Sequence, residues 1–404
     1  MRLREWRGWG RHVSLTVIYA KKMRLPTQSA NVTQALNMAL AFEAAGAAVR
    51  CFPGVTVEKG RSTARDVLRR VLEDIGAHAV PPGWRILPGK SKGLYGLLFR
   101  LALFGAMRAS PDGLLFARDI AEAEYLIALG RVVRRPLMYE AHEILHQMHE
   151  KEGKGHWQNT LRREKRVFAS LAGLVCLNSL VLEQARDVLG YDGPACLAPN
   201  GYNPSAFYPL PLFTPENPWP DQSSPVTAVY VGNFHSGKGV EELLDAFALL
   251  PGRFHLRIIG GSPVHLFAAL KEKAVTLGLP DRVTFTGALP QNRIREACTG
   301  AHLFVIPQQS SFFFSPLKLY EAMALGLPIV CTPLSVFTPY IASECVLTAA
   351  DATAAGLARA IEVLAGQRGQ AEALRQKGLA EAAGHSWTQR ASNILDFISS
   401  LEKR

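Results

Sequence analysis

The chain alternates short apolar runs, rich in β-branched and aromatic residues, with longer segments of helical periodicity. In the first half, this pattern predicts helices such as Asn31–Ala47 and Leu180–Leu189 between successive strands. Strands that are apolar throughout are typical of a parallel sheet covered by helices on both faces. The predicted strands of this half are Val13–Ala20, Val49–Phe52, Gly113–Arg118, Pro136–Ala141, Gly173–Asn178 and Ala195–Pro199.

The second half repeats the alternation after a proline-rich break. Residues 203–225 carry seven prolines and no helical period, which is typical of a linker. The strand TAVYVG, residues 227–232, and a helix from Val240 then restart the pattern. The runs RFHLRIIG, VTFTG, AHLFVIP and LPIVCT follow as strands, and one amphipathic helix, Trp387–Leu401, comes last.

A length of 404 residues is too great for one ordinary core and suits two α/β domains. We predict two doubly wound, Rossmann-like domains, over residues 1–205 and 226–385, joined by a linker over 206–225. The last helix, at about residues 386–404, is expected to pack back on the first domain. The two sheets would face a cleft, and ligands of open α/β folds bind at the carboxyl ends of the strands.

Composition indicates a globular, cytoplasmic protein. Hydrophobic residues make up 48% of the chain and charged residues 20%. The N-terminus is basic and aromatic, but no apolar core of signal-peptide length follows it, so we predict no secretion signal. The cysteines form no CxxC pair, and most lie in apolar runs that suit small buried side chains of a reduced protein: Cys51, Cys176, Cys196, Cys298, Cys331 and Cys345.

The net charge of +11 lies entirely in the first half. Residues 1–200 hold 29 Lys and Arg against 18 Asp and Glu, whereas residues 201–404 hold 16 of each class. An anionic partner is expected there, either a membrane surface on the inner face of the cell membrane or a phosphorylated acceptor. A solvated basic face is the alternative. No RNA- or DNA-binding motif accompanies these charges, so we predict no nucleic-acid partner.

Residues 90–108 form an apolar segment with basic flanks. Its core, Leu94–Met107, has 14 residues with Arg100 inside it, which is too short for a membrane span of about 20 residues. Two interpretations remain open: an interfacial helix that contacts anionic lipid, and a buried domain helix with basic ends.

The segment Gly232–Gly239, GNFHSGKG, follows a predicted strand and opens a helix. It approaches the P-loop spacing, but Gly239 replaces the Ser or Thr that would bind magnesium, so an ATPase is disfavoured. The remaining chemistry is anion binding. Gly237 permits close backbone approach, the helix start offers free N–H groups and Lys238 adds a full charge. An ordinary strand–helix turn with a surface lysine is the alternative.

A second segment with ligand-binding features is SPLKLYEAMALGLP, residues 315–328. Ser315 suits a helix cap, Pro316 suits the first turn, and Gly326 suits a left-handed C-terminal cap. Lys318 and Glu321 are three residues apart and can share one helical face. This helix start could hold a diphosphate on Lys318 and ribose hydroxyls on Glu321.

The run HEILH, residues 142–146, matches the HExxH zinc-hydrolase motif formally. It directly follows the apolar strand PLMYEA, so we expect His142 at a strand end and not within a helix. A zinc hydrolase is therefore kept as a minor alternative, with His149 and Glu164 as the conceivable third ligands. We predict no metal and no cofactor.

Several motifs in one order resemble the family 4 retaining glycosyltransferases, which have the GT-B fold. The resemblance runs from about residue 13 to 400, and the SPLK segment resembles the donor-site helix of that family. GNFHSGKGVEELLDAFALL resembles its phosphate loop. The other matching runs are APNGYNPSAFYP, FARD, MYEAHE and SANVTQALNMALAFEAAGAAVRC.

The resemblance implies that the first domain is the acceptor side and the second binds a UDP-, GDP- or ADP-sugar donor. The acceptor would be a glycan, a lipid-linked saccharide or a small molecule. Lys238 and Lys318 would contact the diphosphate, Glu321 the ribose, and His142 the transferred sugar. The remaining donor-side residues implied are Gly232, Asn233, Gly237, Gly239, Phe285, Gly287, Ser315, Pro316 and Leu317, and the acceptor-side residues are Ser29, Asn31, Arg118 and Glu143.

Two positions depart from the family pattern. Phe313 stands where many members have a glutamate that contacts the sugar, and Asn233 stands where an arginine is frequent. The first departure motivates an alternative function, a catalytically silent protein that binds sugar nucleotides.

Overall fold

A computed structural model describes residues 15–27, 29–58, 62–133, 135–310 and 317–402. They form two compact units, one reaching to Asn200 and including the segment from Trp387, the other comprising Gly201–Ser386. Each unit contains a six-stranded sheet whose recorded strand pairs are all parallel. The predicted class, an α/β protein with two doubly wound domains, is confirmed.

The first unit alternates strands and helices as the apolar pattern predicts, with boundaries shifted by one to three residues. Its strands are β1 (Thr16–Ala20), β2 (Arg24–Leu25), β3 (Ala48–Arg50), β4 (Gly54–Val55), β5 (Leu87–Pro88), β6 (Leu114–Ala117), β7 (Leu137–Ala141), β8 (Gly173–Cys176) and β9 (Ala195–Leu197). Its helices up to Asn200 are α1 (Ala30–Ala44), α2 (Ala64–Asp74), α3 (Lys92–Ala109), α4 (Ile120–Val133), α5 (Leu145–Lys151), α6 (Trp157–Phe168) and α7 (Ser179–Asp187).

The main sheet of this unit has the order β3-β1-β6-β7-β8-β9. The chain winds outward from β1 in one direction and from β6 in the other. Because parallel crossovers are right-handed, helices α3, α4, α6 and α7 cover the opposite face of the sheet from α1. A small parallel sheet, β2-β4-β5, was not predicted, since strands of two residues are too short to show a period.

The second unit repeats this architecture with the order β12-β11-β10-β13-β14-β15. Its strands are β10 (Val226–Val231), β11 (Phe254–Ile259), β12 (Val283–Gly287), β13 (Leu303–Ile306), β14 (Ile329–Cys331) and β15 (Leu347–Thr348). Its helices are α8 (Val240–Leu249), α9 (Val264–Thr276), α10 (Gln291–Ala297), α11 (Leu317–Ala324), α12 (Thr338–Ala342), α13 (Ala354–Gly366) and α14 (Arg368–Ala383), with a 3₁₀ turn at Ser335–Phe337.

The proline-rich segment 206–225 differs from the free linker that its composition predicts. Phe207, Leu210 and Leu212 are 1%, 2% and 3% exposed and belong to the core of the second unit. Trp219 packs there too and donates a hydrogen bond from Nε1 to the Ala365 carbonyl at 3.0 Å. The prolines break helical periodicity, but enough apolar residues lie between them for the segment to pack on the second unit.

The last helix, α15 (Trp387–Glu402), lies in the first unit and packs on α1. Arg390, only 3% exposed, carries this attachment. Its Nε donates to the carbonyl oxygens of Ala198 and Pro199, both at 3.0 Å, and its Nη2 lies 2.7 Å from Oε1 of Glu140 on β7. The Glu140 side chain is fully buried, so this ion pair is shielded from water.

Replacing Arg390 should destabilise the protein strongly. We expect Arg390→Met to lower the free energy of unfolding by about 3–5 kcal/mol, because it leaves the buried Glu140 carboxylate with one fewer cation. Urea unfolding measures this loss. The matched control is Arg163→Met, which removes a half-exposed pair with Glu124 and should cost at most about 1 kcal/mol. Equal losses in both variants would contradict the assigned importance of Arg390.

Candidate active site

The predicted phosphate loop, residues 232–239, lies at the topological switch point of the second unit. Strands β10 and β13 are neighbours in the sheet, yet the chain winds away from them in opposite directions. The loops that follow such a pair separate and leave a crevice at the carboxyl edge, where ligands of open α/β folds bind. The loop 232–239 follows β10, and the loop that leads to Lys318 follows β13.

Glycines give the first loop its conformation. Gly237 and Gly239 have φ angles of 83° and 73°, a region that side chains rarely adopt. A Cβ at Gly239 would lie 1.7 Å from the Pro307 carbonyl oxygen, so only glycine fits against the β13 loop. Gly239 caps α8, whose first turn carries Glu241 and Glu242. Lys238 adds a formal positive charge beside the backbone N–H groups of this helix start.

The two loops are bonded directly to each other. The backbone amide of Gln309 donates a hydrogen bond to the Gly237 carbonyl at 2.8 Å. The Lys238 ammonium donates one to Oε1 of the Gln308 side chain at 3.4 Å. Gln308 is oriented in turn by a 2.6 Å bond from its Nε2 to the Ser310 carbonyl. Burial lowers the pKa of Lys238 from its usual value. A partly desolvated ammonium at such an edge interacts strongly with an anion, because water screens it less.

Lys318 and Glu321 share one face of α11, as their spacing predicts. Lys318 Nζ lies 2.6 Å from Oε2 of Glu321, and Gln291 donates to Oε1 at 3.0 Å. The Glu321 side chain is 2% exposed whereas that of Lys318 is 34% exposed. The buried carboxylate thus orients a cation whose side chain is partly exposed. Helix α11 begins at Leu317; Phe313, Ser315 and Pro316 lie outside the described residues.

The other donor-side residues lie where β10, β11 and β12 end together. Gly232 donates to the Ile259 carbonyl at 3.0 Å, and the Gly260 amide donates to the Gly287 carbonyl at 3.0 Å. Phe285 is half-buried on β12. Asn233 Oδ1 is buried and accepts no hydrogen bond from the described part of the chain. Buried polar atoms are nearly always bonded, so this oxygen is a candidate for a contact with a ligand donor.

In the first unit, Arg118 and His142 are brought together although 24 residues separate them. Arg118 follows β6, at the switch point between β1 and β6, and His142 follows β7. The Arg118 Nη2 atom lies 2.5 Å from Nε2 of His142 and 3.3 Å from Nδ1. It also donates to Oε1 of Gln34 on α1 at 3.4 Å. Parallel strands end at one edge, which explains why these distant residues meet.

Glu140 organises this cluster. Its Oε1 lies 2.8 Å from His142 Nε2, and its Oε2 lies 3.5 Å from Arg118 Nε. Burial alone would raise the pKa of Glu140, but the Arg118 and Arg390 guanidiniums outweigh it and hold the pKa well below its usual range. The carboxylate is therefore ionised. The imidazole Nε2 thus faces both this carboxylate and the donor-only guanidinium of Arg118.

His142 is neutral near pH 7. Burial, together with the positive charge of Arg118, lowers its pKa to about 4, against the opposing effect of Glu140. Both ring nitrogens already face partners in the cluster. A weakly basic, engaged imidazole suits hydrogen bonding and positioning more than proton abstraction.

The HEILH run does not form the helical geometry of a zinc hydrolase. Helix α5 begins at Leu145, so His142 stands at a strand end, as predicted, and His146 lies on the helix. His146 Nδ1 lies 2.7 Å from Oε2 of Glu164, whose two oxygens also accept from the Leu145 and His146 amides. Glu164 is therefore committed to capping α5. In the part of the chain that the structure describes, no group of three His, Cys, Asp or Glu could hold a metal ion.

The remaining acceptor-side residues are exposed and lie near these elements. Ser29 directly precedes α1 and Asn31 lies in its first turn, on the helix that also carries Gln34. Glu143 follows His142. The structure records no hydrogen bond that joins Ser29, Asn31 or Glu143 to the Arg118–His142 pair.

Sequence reasoning missed Glu140, Arg390, Gln34 and the Gln308–Gln309 pair. A carboxylate in the apolar run LMYEA could have indicated Glu140, since a buried charge needs a partner. The other residues come from distant elements and carry no such local indication.

The neutral state of His142 predicts a pH dependence of stability. The unfolded histidine binds a proton below about pH 6.5, whereas folded His142 binds one only below about 4. Stability should therefore fall as the pH decreases through this window. Between pH 7 and pH 4.5, the free energy of unfolding of wild type should decrease by about 2 kcal/mol more than that of His142→Asn. Urea unfolding at the two pH values measures this difference. Parallel pH profiles of the two proteins would contradict the assignment.

The comparisons with known sequences point to one family. Residues 225–367 match the family model of Glycosyl transferases group 1. The D-inositol 3-phosphate glycosyltransferase of Nocardia farcinica is 30% identical over 184 residues, which cover 43% of this chain and 40% of that protein. The mannosylfructose-phosphate synthase of Agrobacterium fabrum is 28% identical over 148 residues, 34% of this chain and 32% of that protein. The chain thus spans 40% or less of the length of these curated relatives.

Solved structures share the fold over nearly the whole chain. Sucrose-phosphate synthase from Thermosynechococcus elongatus superposes with a TM-score of 0.72 at 18% identity, over 96% of this chain and 99% of that one. Anabaena HepE in complex with UDP-glucose superposes with a TM-score of 0.68 at 15% identity, over 96% and 100%. The predicted resemblance is therefore confirmed: this chain has the GT-B fold, and its residues 225–367 carry the sequence pattern of the group 1 glycosyltransferases.

Proposed function

We propose that the protein is a retaining glycosyltransferase that moves a sugar, of the hexose class, from a nucleoside diphosphate sugar to an acceptor hydroxyl. The observation that carries the proposal is the loop of Lys238, held by Gln308 and Gln309 at the switch point of the unit that matches the family. This loop places a partly desolvated cation where open α/β folds bind phosphate groups.

The donor chemistry follows from the cations and from the relatives. A diphosphate leaving group gains negative charge as the glycosidic bond breaks, and Lys238 and Lys318 would stabilise that charge. Glu321 would bind the ribose, with Phe285 and Gly287 beside the base. The solved HepE structures contain UDP, or UDP with a glucose unit, which supports a UDP-sugar first, with GDP- and ADP-sugars as the other donors to test.

The proposal requires neither a metal nor a cofactor. Two lysines and the starts of α8 and α11 would supply the positive charge that a divalent cation supplies in other transferases. Retention of the anomeric configuration rests on the family resemblance.

By the family resemblance, His142 of the first unit would contact the transferred sugar, with Arg118 and Glu140 holding its ring. Because His142 is neutral and weakly basic, we assign it hydrogen bonding and positioning and not general-base catalysis. Ser29, Asn31 and Glu143 would contribute to the acceptor side. The acceptor is a glycan, a lipid-linked saccharide or a small molecule, and the basic first half favours an anionic one.

Replacing either lysine should impair turnover while the fold survives. For Lys238→Ala and Lys318→Ala, we expect the release of nucleoside diphosphate from the sugar nucleotide to fall by about 10²–10³. The matched control is Lys273→Ala, which removes a surface pair with Asp245 in the same unit and should leave the rate unchanged. Folded lysine variants with near-wild-type rates would overturn the assignment.

Ligand stabilisation of wild-type protein identifies the nucleotide. We expect UDP, GDP or ADP to raise the unfolding free energy without metal, by about 2.7 kcal/mol at about 100 times its dissociation constant. Stabilisation without any turnover of the sugar conjugates would instead indicate the silent binder motivated by Phe313. Stabilisation by zinc, without stabilisation by any nucleotide, would instead indicate the zinc hydrolase.

A further inference from the structure

Helix α3 (Lys92–Ala109) is apolar on two opposite faces. One face packs on the first unit through buried residues such as Tyr95, Phe99 and Leu103. The opposite face exposes Leu94, Leu97, Leu101 and Phe104, which are 49%, 57%, 57% and 38% accessible. A surface helix ordinarily turns polar residues outward, so the second apolar face is anomalous.

This face stands out from the rest of the described surface. Eleven large hydrophobic residues are exposed in the described part of the chain, and four of them lie on this one helix face. A Cβ added at Gly93 or Gly105 would meet nothing within 4 Å, so no described segment covers the helix there. A clustered apolar patch of this kind marks an interaction surface.

Positive charge surrounds the patch. Lys90, Lys92, Arg100 and Arg108 are all exposed, and residues 75–111 contain no Asp or Glu. Among the described residues, none of these four cations forms an ion pair with a carboxylate. The combination of a leucine-rich face with unpaired cations is complementary to an anionic lipid surface.

The neighbouring helices extend the basic surface. The Tyr125 hydroxyl on α4 donates to the Arg100 carbonyl at 3.0 Å, and Glu124 on α4 pairs with Arg163 on α6 at 2.6 Å. Helices α3, α4 and α6 therefore form one layer. Arg162 and Lys165 on α6 are exposed in the same layer and add to its positive charge.

We infer that α3 is a membrane-docking helix: the face formed by Leu94, Leu97, Leu101 and Phe104 enters the interface of an anionic bilayer, and the flanking cations contact lipid phosphates. The helix stays part of its unit. The Tyr95 hydroxyl accepts from the Met23 amide at 2.9 Å and lies 3.0 Å from the Phe52 carbonyl, which fixes the buried face. No helix among the described residues is both long and apolar enough to cross a bilayer.

The exposed face of α3 could contact either a lipid surface or a second copy of the chain, and the charge around it favours the lipid surface. Two copies joined through this face would bring eight exposed cations together without an acid from either segment, which opposes association. An anionic bilayer neutralises the same cations. The inference goes beyond transfer chemistry, because it rests on the exposed apolar face of α3 and on the cations near it. Such docking would bring the acceptor side of the proposed enzyme to a membrane.

Vesicle flotation of the full chain tests the inference. We expect wild-type protein to bind vesicles of phosphatidylcholine with phosphatidylglycerol, to bind phosphatidylcholine alone weakly, and to lose binding at high salt as the cations are screened. The double variant Leu97→Gln/Leu101→Gln should bind anionic vesicles at least about a hundredfold more weakly. Lys90→Gln/Lys92→Gln should weaken binding by about tenfold or more.

The matched control is Leu249→Gln/Val264→Gln, which alters two exposed apolar residues of the second unit and should bind vesicles as wild type does. Thermal unfolding and transfer to a soluble acceptor should be unchanged in the leucine variant, which separates this result from a failure of the proposed activity. Absence of wild-type binding, or unchanged binding by the leucine variant, would overturn the inference. So would a wild-type dimer in light scattering that the leucine variant converts to a monomer.

Discussion

The first unit depends on the ion pairs that the buried Glu140 carboxylate forms with Arg118 and Arg390. Glu140 lies next to the carboxyl end of β7 and is fully buried, a position that costs several kcal/mol unless cations compensate. Arg118 arrives from the end of β6 and Arg390 from α15. One carboxylate therefore fixes the C-terminal helix, orients Arg118 at the switch point and contacts His142, whose neutral state comes from burial and from the charge of Arg118. The same carboxylate therefore attaches the last helix and orders the candidate sugar-binding residue His142.

In the second unit, close contacts between backbone segments position the candidate phosphate loop. Gly239 fits against Pro307 only because it lacks a side chain, and Gly260 fits against Gly232 for the same reason. The first contact draws the loops after β10 and β13 together beside Lys238, and the second joins the ends of β11 and β10. Glu321 plays a part there that Glu140 plays in the first unit, since it is a buried carboxylate that orients a cation, Lys318. Both units are thus doubly wound parallel sheets in which a buried carboxylate orients a cation, although their strand orders differ.

The uneven charge of the chain gains a physical interpretation from α3. The excess cations of the first half include those that border its exposed leucines, and the second half is balanced. A transferase whose acceptor is attached to lipid would gain from such a surface, because docking raises the local concentration of the acceptor.

Local pattern alone predicted much of the fold. The strands β1, β6, β7 and β8, the helices α1 and α7, the final helix and the glycine-rich loop before α8 all follow from periodicity and turn chemistry, which act over a few residues. Lys238, Lys318, Glu321 and His142 were also selected from the sequence, by their spacing and by family resemblance, and their roles stay predictions. The two-residue strands β2, β4 and β5 were not, because they are too short to show a period.

Tertiary structure alone decided which distant residues meet. Arg390 reaches Glu140 across 250 residues, Gln291 reaches Glu321 across 30, and the proline-rich segment packs into a core that its prolines gave no reason to expect. It also decided which face of α3 is buried, because both faces are apolar and periodicity cannot choose between them. The sequence therefore determined the elements and their local chemistry. Packing determined the partners of buried charges and the surface left exposed, because both depend on contacts between residues far apart in the chain.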